Sequence, residues 1–236
     1  MFFDDYPLFL ETSETAASAR RLGWRHKFII EDNADLLAGK RVLDLASHDG
    51  RWSFAALNAG ARHVTGVEFR PELVANAEKS FQHYDVDPST YRFIPGDLFE
   101  LLRDPGAMEV EVDVVLCLGF LYHTLRYTEL FNGWRRLNPE HILLDTSVTE
   151  GDRPRVQLNL EHTEKQSAAG DTGEVHSYDG VMLTGRPTAV AVEYMLDGYG
   201  FDVVRRAPWQ TYDPEKIRVP EYTTGRRVSW VVKPRT

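Results

Sequence analysis

Several features of exported, membrane-spanning or metal-thiolate proteins are missing from this chain. Its one cysteine, Cys117, rules out an internal disulfide and a structural thiolate centre, and it favours a reducing compartment, so a cytoplasmic location is expected. No apolar run approaches the roughly 18 residues that a membrane helix needs, so no membrane partner is expected. The opening MFFDDYPLFL carries acids where a secretory leader carries Lys or Arg, which argues against a leader. There is no G-x-x-x-x-G-K-[ST] phosphate loop, no G-x-G-x-x-G turn and no visible Ser-His-Asp arrangement. Basic charge is also short: 27 Lys and Arg face 36 Asp and Glu, a net charge of −9. That balance weighs against a nucleic-acid partner and for a small-molecule substrate, although Arg-Arg pairs at 20–21, 135–136, 205–206 and 226–227 allow a local basic patch.

Short β-branched runs alternate with helical stretches over the 236 residues, the pattern of a mostly parallel sheet with crossover helices. Strands are predicted at Arg41–Leu45, His63–Phe69, Tyr91–Ile94, Val112–Leu118, His141–Asp145, Phe201–Arg205 and Arg227–Val232. Helices are predicted at Trp24–Leu37, Arg51–Ala59, Pro71–Phe81, Tyr127–Leu137 and Pro187–Leu196. Pro71 suits a first helical turn, where its missing N–H costs nothing. The expected architecture is α/β, a doubly wound seven-stranded sheet in a single domain over 1–236. Residues 1–38 form a helical cover, and 146–186 form an insertion after strand 5. That insertion is too long for an ordinary connection and contains two strand-like pieces, VQLNLE and VMLTG. The apolar N-terminal stretch makes a homodimer a candidate.

Four features fall in order at the C-terminal ends of successive strands, the ligand edge of an open α/β sheet. VLDLASHDGRW ends a strand at Asp44, turns through Ala46, Ser47, His48 and Gly50, and opens a helix that begins with Arg51 and Trp52. An ordinary βα turn would look similar. Glu68, followed by Phe69, stands at the tip of the second strand, where an acid can accept from ribose hydroxyls; an exposed loop acid is the plain alternative. Asp97 in FIPGDLF can accept from an adenine amine, with Leu98 against the ring. The run VDVVLCLGFLYHT reads as a buried strand that breaks after Leu118 at Gly119.

Together these residues resemble the class I S-adenosylmethionine-dependent methyltransferase family, closely over about residues 25–145 and more loosely toward the end. The resemblance implies S-adenosylmethionine as cofactor, with Asp44, Ala46, Ser47, His48, Gly50, Trp52, Glu68, Phe69, Asp97, Leu98 and Leu118 around it. His48 stands where the family usually has a small residue, which implies a wider turn or a use for the imidazole. The phrases LCLGFLYHT, DGRWSF and MLDGYGF are similar to a subgroup of tRNA uridine-modifying enzymes and bacterial sugar or natural-product methyltransferases, including mycobacterial methylmannose enzymes.

Methyl transfer to a hydroxyl requires removal of its proton. His123, just past the fourth strand, is the candidate general base, since an imidazole titrates near neutrality; a structural loop histidine is the alternative. Tyr122 reads as packing beside it. Asp145 ends the fifth strand and is the second catalytic candidate. Metal-dependent members of the broad family place acids there, so Asp145 is also the candidate ligand for Mg2+, with Glu161 and Glu164 as further oxygen donors. The alternative is that Asp145 caps a loop or fixes His123. Topology should bring 146–186 and the connection 207–224 together over the methyl site, making His176, Tyr178, Trp209, Tyr212 and Tyr222 candidate substrate contacts; they would equally serve to pin the loops. The expected function is O-methylation of a small hydroxylated acceptor, a sugar, oligosaccharide or natural product. A tRNA uridine-modifying enzyme is the alternative.

Overall fold

The computed structural model describes residues 1–12, 18–109, 111–163 and 177–235. Its main sheet has seven strands, β1 (Arg41–Leu45), β2 (His63–Glu68), β3 (Tyr91–Pro95), β4 (Val114–Leu118), β5 (His141–Ser147), β8 (Phe201–Arg206) and β9 (Arg227–Pro234). They lie in the order β3-β2-β1-β4-β5-β9-β8. The first five are parallel, and β9 runs antiparallel to both β5 and β8. The two remaining strands, β6 (Val156–His162) and β7 (Val181–Pro187), pair only with each other, as an antiparallel ribbon outside the main sheet.

The sheet is apolar on both faces, which is why its central strands read as continuous hydrophobic runs. On one face Leu43, Leu45, Val115, Cys117 and Leu144 pack against helices Leu98–Arg103, Tyr127–Leu137 and Ala189–Gly198. On the other, Val42, Val64, Val114, Leu116 and Leu143 pack against helices Arg51–Asn58 and Pro71–His83 and the N-terminal segment. Phe3 and Phe9 are fully buried there beside Trp52 and Phe54, so the apolarity of the N-terminal stretch is accounted for within the chain and no longer argues for a dimer.

Helix starts follow side-chain chemistry. Pro71 occupies the first turn of its helix, Asp97 accepts from the Phe99 N–H at 2.8 Å, and Thr188 accepts from Ala191 at 3.1 Å. The Thr188 cap starts the late helix at Ala189 and leaves Pro187, expected to be helical, in β7. The expected helix Trp24–Leu37 is instead broken into an α-helix (Ala19–Arg25), a π-helical turn (His26–Ile30), a 3-10 turn and a last α-turn. Asn33 supplies the reason: its side-chain amide donates to the Phe28 and Ile29 carbonyls at 3.2 and 2.9 Å, replacing main-chain donors.

Candidate active site

Strand order reverses between β1 and β4, which opens a crevice beyond their C-terminal ends. The turn after β1 alternates into the left-handed region at Ala46, His48 and Gly50, with φ of 54°, 54° and 76°. At Gly50 a Cβ would lie 2.8 Å from the Phe93 ring, so only glycine fits. Ala46 and His48 hold the same conformation at a cost on the order of 1 kcal/mol each. The turn thus follows a glycine-rich path with two of its positions filled by other residues, and it is the backbone, not composition, that preserves it. A sequence of main-chain N–H groups around such a turn forms a concave donor surface.

Two buried acids brace this turn. Asp44 accepts from Ser53 Oγ at 2.7 Å, and burial, reinforced by the nearby Glu68, pushes its carboxyl up to about 7. Glu68 accepts from the His48 N–H at 3.0 Å through Oε2, and from the Arg70 N–H and Nε at 3.1 and 3.2 Å through Oε1. Among the described residues one lone pair of Oε2 therefore stays open beside the turn. Nε2 of His48 is buried without a hydrogen-bond partner among the described residues, the kind of polar atom a ligand would satisfy. These features fit a nucleoside held against the β1 turn. Asp49 was not expected to matter, yet it is fully buried, pairs with Arg51 at 2.6 Å and accepts from Thr12 at 2.9 Å, tying the N-terminal segment to the turn.

The other cofactor candidates divide. Phe69 and Leu118 are half-buried at the crevice edge. Leu98 is in the core, and Asp97 caps its helix while its second oxygen meets Arg126 at 3.4 Å. Trp52 is buried under Arg25, whose guanidinium lies 4.6 Å from the ring centroid.

Asp145 does not stand as an open acid. Its Oδ1 accepts from Arg25 Nη2 at 3.0 Å and Arg227 Nε at 2.7 Å, and its Oδ2 from Tyr222 at 2.9 Å and Ser229 at 2.7 Å. Four donors fill the four acceptor positions of a carboxylate. Burial alone would raise this group, but Arg227 and Arg25 outweigh it and hold it down at about 2. The expectation of a proton-accepting or magnesium-binding Asp145 is corrected accordingly: no oxygen is left for a cation or a substrate proton. Among the described residues no group of acids, histidines and cysteine is placed to hold a metal. Glu164 lies outside the described residues, and Glu161 is engaged elsewhere.

That engagement is with His123. Its Nδ1 lies 2.9 Å from Glu161 Oε2, and the ring is buried. His123 and Tyr122 have ring centroids 3.9 Å apart. Tyr122 also lies under two guanidinium groups, Arg227 at 5.5 Å and Arg186 at 5.7 Å from its centroid. Burial would raise the phenol, but His123 and Arg227 outweigh it and bring it down to about 7. In return burial, which alone would lower His123, is outweighed by Tyr122 and Glu161, and the imidazole is raised. The sequence assigns Tyr122 to packing; the structure sets its phenol among an imidazole and two guanidinium groups.

The ribbon roofs this cluster. The register puts Glu161 opposite Met182, Asn159 opposite Thr184 and Gln157 opposite Arg186, so these six share one face. Met182 and Thr184 are buried on that face, whereas Leu158 and Leu160 on the other are 61% and 69% exposed. Of the substrate candidates, Trp209 and Tyr222 are fully buried and stacked on each other at 3.9 Å. Trp209 donates to Ser229 and Tyr222 to Asp145, so both are corrected to core residues. Tyr212 lies against Phe28 at the surface, and Tyr178 is 88% exposed at the end of the ribbon where β7 begins. His176 lies outside the described residues.

Residues 42–139 match the family described as the methyltransferase domain, a span from β1 to the end of the helix after β4. The chain is 34% identical over 64 residues to ribosomal RNA large subunit methyltransferase I of Pseudoalteromonas translucida, covering 27% of this chain and 16% of that protein. It is 38% identical over 69 residues to ribosomal RNA large subunit methyltransferase E of Gluconobacter oxydans, covering 26% of each. The chain thus spans about a quarter or less of the length of these relatives. Among solved structures, the N-terminal domain of EvdMO1 in the presence of SAH and D-fucose aligns at TM-score 0.58 and 18% identity, over 87% of this chain and 82% of that one. An S-adenosylmethionine-dependent methyltransferase from Mesorhizobium loti aligns at TM-score 0.57 and 14% identity, over 93% and 99%. The fold is the one these structures share. No helix among the described residues is long and apolar enough to cross a membrane.

Proposed function

We propose that this chain, with its class I S-adenosylmethionine-dependent methyltransferase domain at residues 42–139, methylates a hydroxyl group of a small acceptor such as a sugar or natural product. The observation that carries this reading is the half-buried Tyr122, held between His123 and Arg227 beside the β4 end and beneath the ribbon. S-Adenosylmethionine, when bound, supplies an electrophilic methyl group on a sulfonium. The left-handed turn 46–50 and Glu68 would hold its nucleoside. Tyr122, as phenolate, would take the acceptor hydroxyl's proton as the oxygen receives the methyl. His123, oriented by Glu161, and Arg227 stabilise the phenolate beforehand, so His123 acts as a positioning cation. Glu161 reaches the cluster from the ribbon, so the roof also completes its electrostatics. Asp145 fixes Arg227 and has no role for magnesium to share.

The roof favours a small acceptor, and the fucose in the EvdMO1 structure is in keeping with a sugar. A second reading, RNA as acceptor, rests on the names of the curated relatives, whose likeness extends over only about a quarter of this chain. Transfer of a labelled methyl group from S-adenosylmethionine tests both. Hydroxylated sugars and natural products should become labelled, and ribosomal RNA should not. Labelled RNA with unlabelled small acceptors would reverse the assignment.

A further inference from the structure

We infer that the acceptor carries a carboxylate or phosphate next to the reacting hydroxyl, and that Arg186 of the ribbon binds it. The inference rests on the proposed methyltransferase site and names the acceptor's charge.

Charge balance is the starting observation. Beneath the ribbon, Arg25 and Arg227 share the single carboxylate of Asp145. His123 has Glu161. Among the described residues the Arg186 side chain has no carboxylate partner and no hydrogen bond, and its Nε is buried and unsatisfied. With His123 protonated, the four cations Arg25, Arg186, Arg227 and His123 face the carboxylates of Asp145 and Glu161 and the Tyr122 phenolate, so one positive charge stays in excess among the described residues. This excess sits in a chain whose net charge is −9, so it is not a reflection of composition. A sulfonium arriving beside it adds a further positive charge. Sequestered charge of one sign is costly unless a partner of the other sign arrives.

Placement makes Arg186 the receiver. Its position opposite Gln157 puts it on the roof's inner face, and its guanidinium lies 5.7 Å from the Tyr122 centroid. Arg227, on the other hand, is committed to Asp145, Tyr222 and Ser147. A planar guanidinium with free N–H groups matches either a carboxylate or a phosphate, bidentately. An anion seated there would hold its own molecule's hydroxyl toward the phenol and exclude neutral analogues.

The test uses the full chain saturated with S-adenosylhomocysteine. Equilibrium dialysis with labelled inorganic phosphate should find one saturable site, displaced by acetate if carboxylates share it. Arg186→Gln should weaken it by roughly tenfold or more, the loss of one charge-assisted pair. Tyr122→Phe should leave it in place. Absence of a saturable site, or phosphate binding unchanged in Arg186→Gln, overturns the inference. Retained binding of S-adenosylhomocysteine by Arg186→Gln shows that the variant is folded. A phosphate site lost in Arg186→Gln, in a protein that methylates no hydroxyl, would leave the anion site standing and sink the methyl-transfer reading instead.

Discussion

Asp145→Asn isolates the role assigned to the buried ion-pair hub. The substitution keeps shape and one carbonyl oxygen. The hydroxyls of Tyr222 and Ser229 can turn to accept from the new amide. Arg25 and Arg227, 6% and 5% exposed at the side chain, are then left sharing one neutral oxygen. Removing one partner of a buried ion pair costs about 3–5 kcal/mol, since the remaining charge stays desolvated. For a chain of this size that corresponds to a fall in Tm of roughly 6–20 °C. Asp145 also sets a pH signature. Its folded-state value of about 2 lies below the ordinary 3.8, so its contribution is present above about pH 4 and is lost as pH falls toward 2. The wild-type protein should lose about 2 kcal/mol over that window from this group, and the Asn variant should not. Thermal unfolding of both proteins at neutral and acid pH measures each quantity. A loss under about 1 kcal/mol at neutral pH would refute the reasoning, because it would mean that the two guanidinium groups are solvated without Asp145.

Other predictions address neighbouring parts of the site. Tyr122→Phe should lower kcat by about 10²–10⁴-fold with little change in KM, and it should abolish a rise in wild-type rate through a pH of about 7; a rise that persists in the variant assigns the base elsewhere. Ala46→Gly should raise stability by about 0.5–1 kcal/mol, since glycine adopts φ of 54° without strain, and denaturant unfolding would detect it. Trp209→Ala should cost about 3–5 kcal/mol in the same assay, as expected of a fully buried ring and not of a substrate contact.

Much of the sheet was legible because it rests on local information. The β-branched runs at Val42–Leu45, Val64–Val67 and Val114–Leu118 are apolar on both faces, and turn residues close them. Asp44 and Glu68 were equally readable, since each stands at a strand tip that the pattern defines. What failed to show in the sequence depended on contacts between distant residues. Asp145 meets Arg25 across 120 positions and Tyr222 across 77, and only that meeting turns an open-looking acid into a saturated one. Tyr122 looked like packing because its two guanidinium neighbours come from β7 and β9. Trp209 and Tyr222 sat among polar residues in a connection, a pattern that does not distinguish an aromatic turned to a ligand from one turned inward. The break in Trp24–Leu37 arose from one side chain, Asn33, competing for carbonyls that helical periodicity takes as satisfied.

Calorimetric titration of S-adenosylhomocysteine into wild type and Glu68→Ala measures whether the β1 turn and Glu68 form the cofactor site. Wild type should show saturable one-site binding, and the variant a loss of roughly tenfold or more with its fold intact, because Glu68 both presents an open lone pair and braces the 46–50 turn. No binding to wild type, or equal binding to both proteins, would contradict it.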